Sequence, residues 1–222
     1  MRLLPKLNAN RRTILLSTWG LFTGLALLLI TAGVYSTLVG IRAELKNLPT
    51  IVSGGITTAY YAGFLLGSWY TLRALKQVGH IRVYAALASL LSASVLITGV
   101  YDSPLVWIIM RSSTGFCFAG LYVVAESWLN GLATNTFRGR LLAMYNVVTI
   151  GAYGAGQLLV FNFDARTLTG FAFAAVISSL AVIPVVMSEQ AATPAVENNT
   201  HITLRELAKI VPTGAGTILL VG

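Results

Sequence analysis

Charge is scarce in this chain. Lys, Arg, Asp and Glu together make up 10% of its 222 residues, where soluble domains carry about 25%, and that shortage speaks against a water-soluble fold. Acidic residues are scarcer still, seven against fifteen Lys and Arg. The resulting +8 would point to nucleic acid in a soluble protein, but the placement of the charges argues otherwise. With one cysteine, Cys117, set in an apolar stretch, neither a disulfide framework nor a cysteine-built metal site is available. His80 and His201 read as loop residues with no partner at metal-ligand spacing. A glycine-rich phosphate loop and a nucleophile elbow are both missing, so no cofactor is expected and an enzyme is disfavoured.

Apolar sequence is abundant instead, at 56% of the chain. Residues 13–41, 47–72, 83–101, 141–163 and 167–188 hold no charge, and each stretch is long enough to cross a bilayer as a helix, which takes about 20 residues. A sixth stretch, 104–130, is interrupted only by Arg111 and Glu126. The expected fold is an all-α membrane protein of six transmembrane helices, since lipid offers no hydrogen-bond partner and each span must satisfy its own backbone. The apolar run after Arg12 exceeds the 7 to 15 residues of a typical signal core, so it reads as a retained first helix.

The basic residues set an orientation. If the amino terminus is cytoplasmic, Arg2, Lys6, Arg11, Arg12, Arg73, Lys76, Arg82, Arg138, Arg140, Arg205 and Lys209 fall on the inner side, against Arg42, Lys46 and Arg166 on the outer. That bias of eleven to three favours both ends of the six-helix unit inside. The organisation expected is a six-helix part over 1–187, a polar linker with a short amphipathic helix over 188–211, and the start of a seventh helix over 212–222.

Ionisable groups within a membrane cost about 2.5 to 3.5 kcal/mol on insertion scales, which marks them as functional candidates. Arg111 and Glu126 share one span but lie about 22 Å apart along it, so each needs a partner elsewhere. Arg111, with Thr114 one turn on, is a candidate for handling substrate or a coupling ion. It tilts the solute towards an anion, because a buried cation needs an opposite charge. Glu126 lies at the inner boundary, where Arg138, Arg140 and the Arg73–Arg82 loop could form a latch with it. Tyr35, Tyr60, Tyr61, Tyr122, Asn146 and Gln157 are the other polar residues placed within spans. Asn146 and Gln157 stand close to three helical turns apart and share a face. Gly20 with Gly24 and Gly63 with Gly67 have the four-residue spacing that lets helices approach closely.

Several of these segments resemble the amino-terminal half of the major facilitator superfamily. Arg111 to Gly115 is similar to its R-x-x-x-G motif, and GFCFAGLYVVAESWLN over 115–130, followed by Arg138-Gly139-Arg140, resembles a bacterial YcaD-like branch of unassigned substrate. The resemblance implies two inverted three-helix repeats, a multi-pass protein of the bacterial inner membrane, and transport of a small solute by alternating access. It also implies a cytoplasmic gate that uses Glu126, Arg138 and Arg140, with Lys76, Gly79 and Arg82 in the preceding connection. That connection departs from the family pattern G-x-x-x-D-[RK]-x-G-[RK]. With Gly79 as the second glycine, Leu72, Lys76, Gln77 and His80 occupy the first glycine, the aspartate and the two basic positions. The fifth span reads Gly151-Ala-Tyr-Gly154-Ala-Gly156 without the G-P core of drug/proton antiporters, which leaves uniport and proton symport open. A second, carboxy-terminal six-helix half is expected as partner, so the 222 residues alone should not transport. The competing expectation is a non-transporting remnant or a six-helix subunit that needs a separate partner.

Overall fold

A computed structural model describes the backbone of residues 4–132 and 138–188, with side chains from Trp19 onward apart from Leu132. The linker and seventh-helix expectations lie outside the described residues. Those described form helices and no strand: α1 (Leu4–Leu45), α2 (Thr50–Val78), α3 (His80–Val100), α4 (Pro104–Leu132), α5 (Arg138–Leu159), a 3-10 turn (Val160–Asn162), α6 (Thr169–Leu180) and α7 (Val182–Met187). Four segments are long and apolar enough to cross a membrane, namely Trp19–Leu45, His80–Val100, Pro104–Gly131 and Thr169–Met187. α2 and α5, at 29 and 22 residues, have the length but not that apolarity.

Local sequence explains the corners. α1 closes where Asn47 takes φ 50 and the Leu48 amide reaches back to the Ala43 carbonyl, a left-handed cap that Asn tolerates and that Pro49 then keeps from continuing. Pro104 opens α4, a position where its missing N–H is no loss. The segment Arg73–Arg82, expected as a loop, is helical on both sides of Gly79. That one residue, at φ 84, turns the chain from α2 into α3. His80 is accordingly not a loop residue but the buried start of α3. The last expected span is broken at Ala181 into α6 and α7, because Pro184 has no N–H for the Leu180 carbonyl and its ring crowds that oxygen.

Packing follows a regular scheme. α2 lies mainly on α4, α1 on α5, α3 on both α4 and α6, and α1 on α6. Shifting each of the first three helices to its counterpart three places on exchanges α1–α5 for α4–α2 and α1–α6 for α4–α3. Lipid supplies no hydrophobic force between helices, so close backbone approach and interhelical hydrogen bonds must hold them. At the α2–α4 crossing, Gly63 faces the Ser112 backbone and Gly115 faces the Tyr60 carbonyl. At the α1–α5 crossing, Gly156 faces the Ile30 backbone and Gly33 faces the Tyr153 carbonyl. The two crossings correspond residue for residue: Ser112 and Gly115 stand 82 places after Ile30 and Gly33 (112 − 30, 115 − 33), while Tyr153 and Gly156 stand 93 after Tyr60 and Gly63 (153 − 60, 156 − 63). Hydroxyls fasten α3 and α6 to their neighbours. Thr31 donates to the Ala174 carbonyl at 3.2 Å, Ser92 to that of Ala175 at 2.8 Å, and Ser94 pairs with Ser113 at 2.8 Å. Gly20 and Gly24 lie against Pro184, Ser188 and Val185, which brings α1 onto α7.

A methyl group at either crossing meets backbone rather than a movable side chain. Gly63→Ala and Gly156→Ala are each expected to destabilise by about 1–3 kcal/mol, the usual cost of overpacking. Gly151→Ala and Gly154→Ala, on the same helix as Gly156 but facing open space, should leave thermal unfolding in detergent unchanged. Equal melting temperatures for all four variants would contradict this packing.

Candidate functional site

Where the two crossings meet, α1, α2, α4 and α5 leave a cavity of about 420 Å³ lined by Ala32, Tyr35, Ser36, Thr57, Tyr60, Tyr61, Phe64, Arg111, Phe118, Tyr122 and Tyr153. A second cavity, of about 350 Å³, lies between the end of α1 and the start of α2. It shares Ser36, Thr57 and Arg111 with the first and adds Val39, Gly40, Ala43, Glu44, Leu48, Thr50, Ser53 and Ile56. These linings are helical stripes. Thr57, Tyr60, Tyr61 and Phe64 follow the i, i+3, i+4, i+7 spacing along α2, and Ala32, Tyr35, Ser36, Val39, Gly40 and Ala43 do so along α1. Polar residues on these faces are one reason α2 is less apolar than its neighbours.

Arg111 stands at the junction of the two cavities. Its guanidinium carbon lies 5.2 Å from the Tyr35 ring centre and 5.0 Å from that of Tyr60, within range of the attraction between a cation and an aromatic face. Nε is buried without a hydrogen-bond partner. Among the described residues no carboxylate pairs with this cation. Tyr35 is fully buried and its hydroxyl pairs with that of Thr98 at 3.1 Å, while the Ser36 and Tyr153 hydroxyls pair at 3.0 Å across α1 and α5. Rings continue the wall from Tyr60 to Tyr61 at 5.4 Å, from Tyr60 to Phe64 at 6.2 Å and from Phe64 to Tyr122 at 6.4 Å.

Of the expected candidates, Arg111, Tyr35, Tyr60, Tyr61 and Tyr122 come together here. Thr114 does not line the space; it is buried and returns its hydroxyl to the Arg111 carbonyl at 3.0 Å. Asn146 and Gln157 share an exposed face of α5 and touch neither cavity. Tyr153, which sequence reasoning passed over, takes the place expected for them. Its signal was its position three residues before Gly156, matching Tyr60 before Gly63. Phe64 and Phe118 carried no polar mark, and Glu44 looked like an ordinary helix-end residue.

The gate candidates lie at the Gly79 end. Glu126 is exposed and accepts a hydrogen bond from the Tyr145 hydroxyl at 3.1 Å. Among the described residues it makes no ion pair with Arg138 or Arg140, both of which are exposed. Lys76 and Arg82 are exposed on either side of Gly79, and Arg73 stacks 3.6 Å over Trp69. His80 joins this end to α4 through a 3.0 Å contact between Nε2 and the Ser127 hydroxyl, beside the Trp128 ring.

At the opposite end the cross-ties are ionic. Arg42, buried, pairs with Asp102 at 2.8 Å and donates to the Gly99 carbonyl at 3.1 Å, while Lys46 reaches the other Asp102 oxygen at 3.0 Å. Arg42 also lies 5.1 Å from the Phe171 ring, so α1, α6 and the α3–α4 corner meet on one guanidinium. No sequence argument singled out this trio, although Arg42 and Lys46 stand one helical turn apart and Asp102 is the acid in the α3–α4 corner.

No protein-family model and no solved structure matches the chain. Among curated proteins it is 34% identical over 148 residues to the uncharacterized MFS-type transporter YcaD of Salmonella newport strain SL254 and of Salmonella typhimurium strain LT2, and it matches the Salmonella paratyphi A protein equally. This chain resembles the MFS-type transporters. The match takes in 67% of the chain and 39% of each YcaD protein, so the matched part spans well under half the length of these relatives. Together with the apolar helices, the likeness to YcaD makes it a multi-pass membrane protein.

Asp102→Asn removes the charge that answers Arg42 and Lys46. Because Asp102 is half exposed, the expected loss is about 2 kcal/mol, between the cost at an exposed pair and that of stranding a fully buried partner. Thermal unfolding in detergent should register it, and Asp102→Glu should recover part of it.

Proposed function

We propose that this chain forms the amino-terminal six-helix portion of a secondary transporter that moves a small solute by alternating access. The observation that carries the proposal is Arg111, a cation without an acidic partner among the described residues, set in a tyrosine-lined cavity between four helices. Intramembrane charge of this kind is costly and marks a substrate or ion path. The likeness to MFS-type transporters supports the same reading.

Two inverted three-helix repeats are supported by the constant offsets of 82 and 93 residues at the two glycine crossings. α2 and α5 count as spans in this arrangement, their lower apolarity following from the polar faces they turn to the cavity or expose. The bias of basic residues supports a cytoplasmic amino terminus, in the inner membrane of a bacterium. On that orientation the Arg42–Asp102–Lys46 cluster is the outer closure. Gly79, Lys76, Arg82, Glu126, Arg138 and Arg140 form the inner gate, where the Tyr145–Glu126 bond is the contact to be broken on opening.

The exposed faces of α2 and α5, with Tyr61, Leu65, Trp69, Val147, Ile150 and Leu158 outward, are suited to a second six-helix half. The greater length of the YcaD relatives supports such a partner. Rocking of the two halves about the cavity then exposes it to each side in turn.

The test is solute counterflow in proteoliposomes containing the longest product of the gene. Arg111→Ala should lower uptake by at least about tenfold, the equivalent of one lost charge-assisted contact, and Arg111→Lys should lower it less. The 222-residue chain by itself should give none. Uptake by that chain alone, or uptake indifferent to both substitutions, would count against the proposal.

A further inference from the structure

We infer that the cavity takes a monovalent organic anion with a flat, apolar body, its carboxylate on Arg111 and its body among the aromatic rings. This rests on the transport reading for the site and goes further in naming the class of ligand.

Three observations carry it. Seven of the eleven lining residues of the larger cavity are Tyr or Phe, and Arg111 is the one charged group among them. Such a wall binds an apolar or aromatic body by ring contact, while a single cation orients one anionic group. The arginine is also prepared for a carboxylate. The Tyr35 and Tyr60 ring centres lie 5.2 and 5.0 Å from its guanidinium carbon, and Nε is buried without a hydrogen-bond partner. A guanidinium presents its donors in its own plane, in a fork that matches two carboxylate oxygens. The third observation is Glu44. It lines the adjoining cavity, which Arg111 also lines, so a ligand with a second negative charge extending that way meets a like charge. Discrimination against dianions follows from this repulsion, as specificity often does. Size agrees: about 420 Å³ lies near the small end of the roughly 300–1,000 Å³ that ligand pockets occupy.

The experiment measures binding to the purified full-length product by titration calorimetry, using benzoate, cyclohexanecarboxylate, benzylamine and terephthalate as probes. Benzoate should bind, with cyclohexanecarboxylate weaker, benzylamine not detectably bound and terephthalate weaker by about tenfold. Arg111→Gln should weaken benzoate by about tenfold or more, and Glu44→Gln should narrow the gap between terephthalate and benzoate. Benzylamine binding as tightly as benzoate would overturn the inference. So would benzoate binding that persists in Arg111→Gln protein with the melting temperature of the parent. Should Arg111→Gln fail to fold, the probe comparison on unaltered protein and the exposed Glu44→Gln variant still decide.

Flux assays separate this inference from the transport reading. Benzoate held but never carried across proteoliposomes would sink transport and leave the anion site standing. Carriage of a cationic solute that Arg111→Ala abolishes would do the reverse.

Discussion

In a bilayer, apolar side chains gain nothing by leaving lipid for protein, so helices must be held by contacts that lipid cannot offer. Here the first such contact is backbone against backbone at two glycine crossings. Gly63 and Gly115 let α2 and α4 touch, and Gly33 and Gly156 do the same for α1 and α5. Each crossing sets aromatic residues at a fixed distance from the point of contact, since Tyr60 and Tyr153 both lie three residues before a crossing glycine. The cavity is therefore a consequence of the packing, and its walls come from the residues that flank the contact.

Arg111 is tolerated in that space through a different compromise. Two tyrosine rings soften the cost of a cation away from water, yet they do not neutralise it. Arg42 shows the other solution, since it is more deeply buried and is answered by Asp102, by the Gly99 carbonyl and by an aromatic ring. One arginine has an acidic partner and binds helices together. The other has no acidic partner among the described residues, and its Nε is buried without a hydrogen bond. That contrast, an acidic partner for Arg42 and none among the described residues for Arg111, is the physical basis for proposing a solute contact at Arg111.

Part of the candidate site was legible in the sequence alone. Arg111, Tyr35, Tyr60, Tyr61 and Tyr122 stood out because polar groups within apolar stretches are costly and therefore meaningful. Asn146 and Gln157 stood out for the same reason and lie elsewhere, because cost identifies a residue without giving the direction it faces. Phe64, Phe118 and Tyr153 gave too weak a signal, aromatic rings being ordinary in membrane helices. Where a latch between Glu126 and nearby arginines was expected, Glu126 accepts a hydrogen bond from the Tyr145 hydroxyl, an uncharged donor that a count of opposite charges cannot find.

The spacing of charge and the length of the apolar runs determined by themselves that this is a helical membrane protein and roughly where its helices start, because the bilayer thickness and the need to satisfy every backbone group leave few alternatives. Only the tertiary structure decided which helices touch, that Gly79 alone turns the chain between α2 and α3, and that among the described residues Arg42 has an acidic partner and Arg111 has none. Those outcomes depend on how faces of different helices meet. Contacts between helices distant in sequence are set by the fit of whole surfaces, which no single run of residues contains.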